Sequence, residues 1–162
     1  MQRRSLVAIV GATAAALTIT TVGVHEGISN YPYRDTGGIW TVCRGQTGIP
    51  MHYYTDSACD AILADSLASY AQQIENSTPG FARLPDGVKT ATIDFTYNVG
   101  IGNYNASTYR KMLINNDLPN ACDQILRYRY VAKKDCRIRS NNCYGVWQRR
   151  MAERGLCRGD TQ

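Results

Sequence analysis

The sequence predicts one domain of the α+β class, a small antiparallel sheet beside a mostly helical remainder, behind an apolar N-terminal segment. Three observations carry this. The chain has 162 residues, enough for one ordinary core and too few for two. Between Tyr31 and Cys43, two short runs rich in aromatic and β-branched residues flank Asp35-Thr36-Gly37-Gly38, turn chemistry that predicts a β-hairpin. Beyond residue 55, apolar residues recur at helical spacing, cut into segments by glycine and proline.

The chain opens Met-Gln-Arg-Arg, and Ser5 to Val24 then contains no charged residue. Such a segment is just long enough to span a bilayer as a helix. Its strongly apolar residues, Leu6, Val7, Ile9, Val10, Leu17, Ile19, Val22 and Val24, are outnumbered by Ala, Gly, Thr and Ser, a poor composition for a stable anchor. Arg3 and Arg4 place the N-terminus in the cytoplasm and the rest of the chain outside. Three readings stand side by side: a signal peptide cleaved after Ala14-Ala15-Ala16, a permanent anchor, and a weak anchor that can leave the membrane. Cleavage would discard most of the helix that ends at Glu26, where Gly27 suits the left-handed position that stops a helix.

After the hairpin, Gly45 to Tyr54 reads as loop. Thr55-Asp56 starts a helix over about 57–75, with Ile62, Leu63, Leu67, Tyr70 and Ile74 at helical spacing. Pro79 and Pro85-Asp86-Gly87 break the pattern before a helix over 86–99 that turns Val88, Ala91, Phe95 and Val99 inward. Gly100-Ile101-Gly102-Asn103 is expected to be a flexible link. A helix over 107–115 comes next, and then one over 117–129, with Asp117 near its cap and Pro119 in its first turn. The last helix spans 145–157, where Arg149, Arg150 and Glu153 are expected to pair across a turn in a structural role. Trp40 and Trp147 are assigned to the core.

The net charge of +5 and pI near 8.9 suit an anionic partner such as a bacterial wall or membrane surface. Nucleic acid is not expected. The basic residues are spread along the chain, the densest stretch (127–139) is interrupted by Asp135, and no nucleic-acid-binding motif appears. Six cysteines behind an export-like N-terminus favour disulfides. With no C-x-x-C and only His25 and His52 available, a structural zinc is not expected. Sequence proximity and element placement suggest Cys43–Cys59, Cys122–Cys157 and Cys136–Cys143. No Gly-x-Ser-x-Gly setting supports acyl transfer.

The chemistry-bearing feature is the pair Glu26 and Asp35, nine residues apart, one on a helix end and one at a hairpin tip. Such a pair can flank a glycosidic bond as general acid and base. It can equally be a solvated helix end and a turn aspartate. His25 either tunes Glu26 or is incidental, and Asn98 either binds sugar or serves the glycine turn after it.

Glu26-Gly27, then Tyr33-Arg34-Asp35-Thr36-Gly37-Gly38-Ile39-Trp40-Thr41, resembles the Glu, Asp, Thr constellation of phage T4-type lysozymes, glycoside hydrolase family 24. Tyr97-Asn98-Val99-Gly100 and the tail 145–157 resemble the same family, so the likeness runs from about residue 22 to the end. It implies a lysozyme-like fold with the cleft between sheet and helical lobe. It also implies Glu26 as general acid, Asp35 as the carboxylate that positions or activates water, and Thr41 as the hydroxyl that holds it. The expected reaction is inverting hydrolysis of peptidoglycan by a monomer without a cofactor, with the two carboxyls roughly 6.5 to 9.5 Å apart.

The chain departs from the family at one place: the glycine-rich stretch that often comes after Thr41 is here Val42-Cys43-Arg44-Gly45-Gln46-Thr47. The N-terminus resembles that of signal-anchor-release endolysins. This implies that residues 1–24 tether a catalytic domain of 25–162 to the host inner membrane, facing the periplasm, and later free it. No cysteine precedes Cys43, so activation by a cysteine within the anchor is not expected.

Overall fold

The computed structural model describes residues 2–160. The apolar segment forms two helices, α1 (Leu6–Val10) and α2 (Ala12–Glu26). They part at Gly11, whose φ of +87° is readily available only to glycine. Both helices pack into the main core: Leu6, Ile9, Val10, Ala14, Ala15 and Val22 lie in one cluster with Leu63, Leu67, Ile93 and Phe95. The Ala and Thr residues that make the segment weak for a bilayer let α2 come close to its neighbours. Thr18 Oγ1, fully buried, lies 3.2 Å from Thr90 Oγ1. Lys89 donates to the Val10 carbonyl at 2.7 Å and pairs with Asp86 at 3.0 Å, filling the break between the helices. Among the described residues, no helix is long and apolar enough to cross a membrane.

The expected hairpin is present. Strands β1 (Ser29–Arg34) and β2 (Trp40–Cys43) pair antiparallel, with Tyr33 opposite Thr41 and Arg34 opposite Trp40. Thr41, Val42 and Cys43 are buried, but Trp40 is 49% exposed beneath the Arg34 guanidinium, 4.7 Å from its ring. The core assignment of Trp40 is therefore wrong. A two-stranded sheet leaves its turn end open to water, and Trp40 lies there. Trp147 is half-buried.

The helical lobe matches the periodicity closely. Helix α3 (Asp56–Ser77) is capped by Thr55, whose hydroxyl accepts from the Ala58 amide. Helix α4 (Asp86–Val99) is the most buried element, with every residue from Val88 to Thr96 inside. Gly100, at φ +90°, ends it. The expected flexible link beyond Gly100 is instead a short helix, α5 (Ile101–Asn105), because Gly100 turns the chain without preventing a restart. Helices α6 (Thr108–Ile114) and α7 (Leu118–Gln124) come next. The expected continuation of α7 to residue 129 is instead a 3₁₀ turn over Ile125–Arg127.

A second hairpin, β3 (Tyr130–Val131) with β4 (Lys134–Asp135), is absent from the sequence reading. Its turn puts Ala132 and Lys133 at positive φ, without the Asn-Gly signal that marks such turns. Helix α8 (Tyr144–Arg158) closes the chain against α4. The three disulfides join Cys43 to Cys59, Cys122 to Cys157 and Cys136 to Cys143, the pairing expected from placement.

Candidate active site

Glu26 is the last residue of α2, and Gly27 (φ +68°) returns its amide to the Gly23 carbonyl at 3.0 Å. The helix therefore stops with its final side chain at the edge of the lobe, half-buried. Glu26 Oε1 accepts from Arg149 Nη1 at 2.8 Å. The same guanidinium reaches Asp94 through Nη2 at 2.7 Å and approaches Glu153 at 3.5 Å. Asp94, fully buried on α4, also accepts from His25 Nδ1 at 2.8 Å.

Three elements thus converge on one charge network: α2 brings His25 and Glu26, α4 brings Asp94, and α8 brings Arg149 and Glu153. Arg149 and Glu153 do pair across a turn of α8, and Arg149 also reaches Glu26 and Asp94. His25 is tied to Glu26 through Asp94 and Arg149.

Burial works against charge throughout this network; partners outweigh it at Asp94 and Arg149, and it prevails at Glu153 and Arg150. Burial alone would raise the Asp94 carboxyl, but the His25 hydrogen bond and the Arg149 charge outweigh it and hold Asp94 below the usual carboxylate range. Arg149 is likewise penalised by burial, and Asp94 and Glu26 more than offset this and raise it. Glu153 goes the other way: burial lifts it well above the ordinary range despite the neighbouring Arg150. Arg150, also buried, is lowered chiefly by desolvation. Its guanidinium donates to Asn98 Oδ1 at 2.8 Å and Glu153 Oε1 at 2.9 Å.

Glu26 lines a cavity of about 340 Å³ with Gly45, Gln46, Thr47, Ser66, Tyr70, Tyr97 and Asn98. Hydroxyl and amide groups dominate the wall. Gln46 Nε2 donates to the Tyr97 hydroxyl at 3.1 Å, and Ser66 Oγ donates to Gln46 Oε1 at 3.1 Å. Burial, followed by the charges of Glu26 and Tyr70, pushes the Tyr97 phenol up to about 12, so it is a neutral hydroxyl at ordinary pH. Its ring meets Tyr70 edge-on at 5.2 Å. Hydroxyls and amides beside tyrosine rings, with one carboxyl among them, form a surface matched to a polar, ring-shaped ligand such as a sugar.

Asp35 lies at the hairpin tip as expected. Its Oδ1 accepts from the amides of Gly37 at 2.9 Å and Ile39 at 2.8 Å, which leaves Oδ2 unused by the turn. Thr41, 3% exposed, donates from Oγ1 to the Ile39 carbonyl at 3.0 Å. Neither residue is among those lining the Glu26 cavity; the turn organises both locally. Asn98 does line it, held by Arg150 rather than acting as a helix cap.

Asp94 and Ser66 escape the sequence reading, and Arg149, Gln46, Tyr70 and Tyr97 appear in it without a place at this site. Asp94 still leaves a signal in the sequence. It lies three residues after Ala91 and one before Phe95 on a helix whose inward face is apolar, and a carboxylate on such a face requires a buried partner.

The family model for phage lysozyme matches residues 23–153. Proteins named SAR-endolysin from Enterobacteria phage P21 and Enterobacteria phage PA-2 are each 33% identical over 164 aligned positions, covering 96% of this chain and 94% of theirs. A probable prophage lysozyme of Escherichia coli strain K12 is 34% identical, covering 94% of this chain and 90% of its own. The fold matches a mutant of P22 lysozyme at TM-score 0.74 and 23% identity, over 86% of this chain and 93% of that one. It matches an endolysin from Escherichia coli O157:H7 phage FAHEc1 at TM-score 0.74 and 18% identity, over 97% and 93%. The likeness in sequence spans both the helix that ends in Glu26 and the hairpin that carries Asp35 and Thr41, and the chain belongs to the phage lysozyme family.

Proposed function

We propose that the chain is an endolysin and an inverting muramidase, hydrolysing the β-1,4 bond between N-acetylmuramic acid and N-acetylglucosamine in peptidoglycan. Cell-wall lysis comes with the family; the assignment of roles rests on the site. Glu26 donates its proton to the glycosidic oxygen as the bond breaks. Water attacks the anomeric carbon from the opposite face, giving up a proton to Asp35, while the Thr41 hydroxyl positions it. The observation that carries this reading is the half-buried Glu26 carboxyl lining a cavity together with hydroxyls, amides and tyrosine rings.

Residues 1–24 act as a releasable anchor to the host inner membrane, and 25–162 as the catalytic domain, facing the periplasm and freed into it on release. Two observations support this: the basic start with a weakly apolar run behind it, and the relatives named SAR-endolysins. The core packing of α1 and α2 supplies a reason for activation on release. While this segment sits in a bilayer, it cannot also pack against α3 and α4, and Glu26, at its end, is kept from Arg149. The enzyme works as a monomer.

The test is lysis of outer-membrane-permeabilised Gram-negative cells by the soluble full-length protein and its Glu26→Gln variant, with the sugar ends of the fragments identified. Lysis confined to the parent protein, with reducing N-acetylmuramic acid ends, is expected. Undiminished lysis by the variant would instead assign activity to the N-terminal segment as a membrane-disrupting element.

A further inference from the structure

The stretch after Thr41, where the chain departs from a glycine-rich pattern, is built as a clamp. Val42 and Gln46 exchange backbone hydrogen bonds at 3.0 and 2.9 Å, closing a three-residue loop of Cys43, Arg44 and Gly45. The loop residues lie between the end of α2 and the start of α3 and reach both. Cys43 (φ +62°) is disulfide-bonded to Cys59 near the start of α3. Gly45 (φ +80°) faces Glu26, whose Oε2 lies 3.5 Å from where a Cβ would stand.

Between them Arg44 sends one nitrogen, Nη1, to the carbonyls of Gly23 at 2.9 Å and Gly27 at 3.1 Å, and another, Nε, to Asp60 Oδ1 at 2.8 Å. The guanidinium lies directly over Gly23, its carbon 3.4 Å from where a Cβ would stand. Asp60 is next in the chain after Cys59, so the ion pair and the disulfide hold the same junction side by side.

We infer that Arg44 is a positioning residue for Glu26, fixing the end of α2 so that the acid is presented to the cleft. The Gly23 carbonyl already accepts from the Gly27 amide and takes Arg44 as a second donor, the Gly27 carbonyl lies past the helix end, and a cation there is favoured by the helix dipole. Arg44 takes up two carbonyls on either side of Glu26, while Arg149 holds the carboxylate itself. One arginine orders the backbone and the other the side chain. A lysine is a single point charge and cannot reproduce a fork that spans two carbonyls and a carboxylate.

This inference rests on Glu26 being the acid, and the experiment separates the two claims. Arg44→Ala, Arg44→Lys, Asp60→Asn and Glu26→Gln are compared by steady-state hydrolysis of solubilised glycan strands and by hydrogen exchange over residues 23–28. Arg44→Ala is expected to lower kcat about tenfold or more with KM little changed, since small misplacements of a reacting group are costly. Faster exchange confined to 23–28 should accompany the loss. Arg44→Lys should recover only part of kcat, and Asp60→Asn should cost less than Arg44→Ala.

Unchanged exchange in Arg44→Ala overturns the clamp, whatever the activity. Faster exchange with kcat within about twofold of the parent overturns the positioning role. Full activity in Glu26→Gln overturns the muramidase reading and, with it, the purpose assigned to the clamp, whereas an inactive Glu26→Gln beside a normal Arg44→Ala removes the positioning role alone.

Discussion

Glu26 is gripped by Arg149, 123 residues further along the chain, and Asp35 by the amides of Gly37 and Ile39, two and four residues away. The first carboxyl depends on three helices meeting correctly around a buried set of charges. The second depends on one turn that its own sequence dictates. The proposed site, with a long-range half and a local half, should fail in two distinguishable ways: through the fold on the Glu26 side, and through chemistry alone on the Asp35 side.

The largest effect should come from Glu26→Gln, which keeps the shape and a hydrogen-bonding partner for Arg149 but cannot act as an acid. Its turnover should fall by about a hundredfold to ten-thousandfold, with Tm nearly that of the parent, as read by fragment release and a thermal scan.

Asp94→Asn should expose the dependence on the fold. It leaves Arg149 less compensated in the interior, and breaking a buried pair costs about 3 to 5 kcal/mol, measurable by denaturant unfolding. The pH dependence has a definite sign. Because the native Asp94 carboxyl is held below its ordinary value of 3.8, its stabilisation is complete above that value and is lost as pH falls through the lower native one. The parent should therefore lose stability at the acid end, and Asp94→Asn should flatten that limb. Glu153 has the opposite signature: its carboxyl is raised above 4.5 in the native protein, so it withdraws stability as pH rises from there. Glu153→Gln should reduce that slope.

On the local side, Asp35→Asn should lower turnover by about a hundredfold. Its side-chain oxygen can still accept from Gly37 and Ile39, so it should change unfolding free energy by less than about 1 kcal/mol. A loss of stability as large as that of Asp94→Asn would erase the contrast between the two halves. The smallest effect is expected from Gly38→Ala, at φ +77° with open space around its Cβ position. Only backbone strain opposes that change, about 1 kcal/mol, and unfolding should show it with turnover nearly intact.

The same contrast divides what sequence analysis read well from what it missed. Gly27 after an apolar run marked the end of α2, and Asp35-Thr36-Gly37-Gly38 marked the hairpin, because both signals lie within a few residues of the structure they determine. The stripes of α3 and α4 were legible for the same reason, since a buried helix face repeats at a period the chain itself displays. Trp40 was misplaced because size and apolarity suggest burial, while a two-stranded sheet has no second layer over its turn end. The β3–β4 hairpin was missed because Ala132 and Lys133 adopt positive φ without any residue that prefers it.

By itself, then, the sequence determined the α+β class, the helix end that carries Glu26, the turn that holds Asp35, the export-like start and a sound cysteine pairing. Tertiary structure alone decided that Arg149 meets Glu26 and Asp94, that Arg44 clamps the end of α2, and that Gln46, Ser66, Tyr70 and Tyr97 wall one cavity. The physical reason is range. Turn and helix-stop preferences act between near neighbours, whereas a buried charge finds its partner only after the core has brought distant segments together, and the desolvation that makes the pairing matter exists only there.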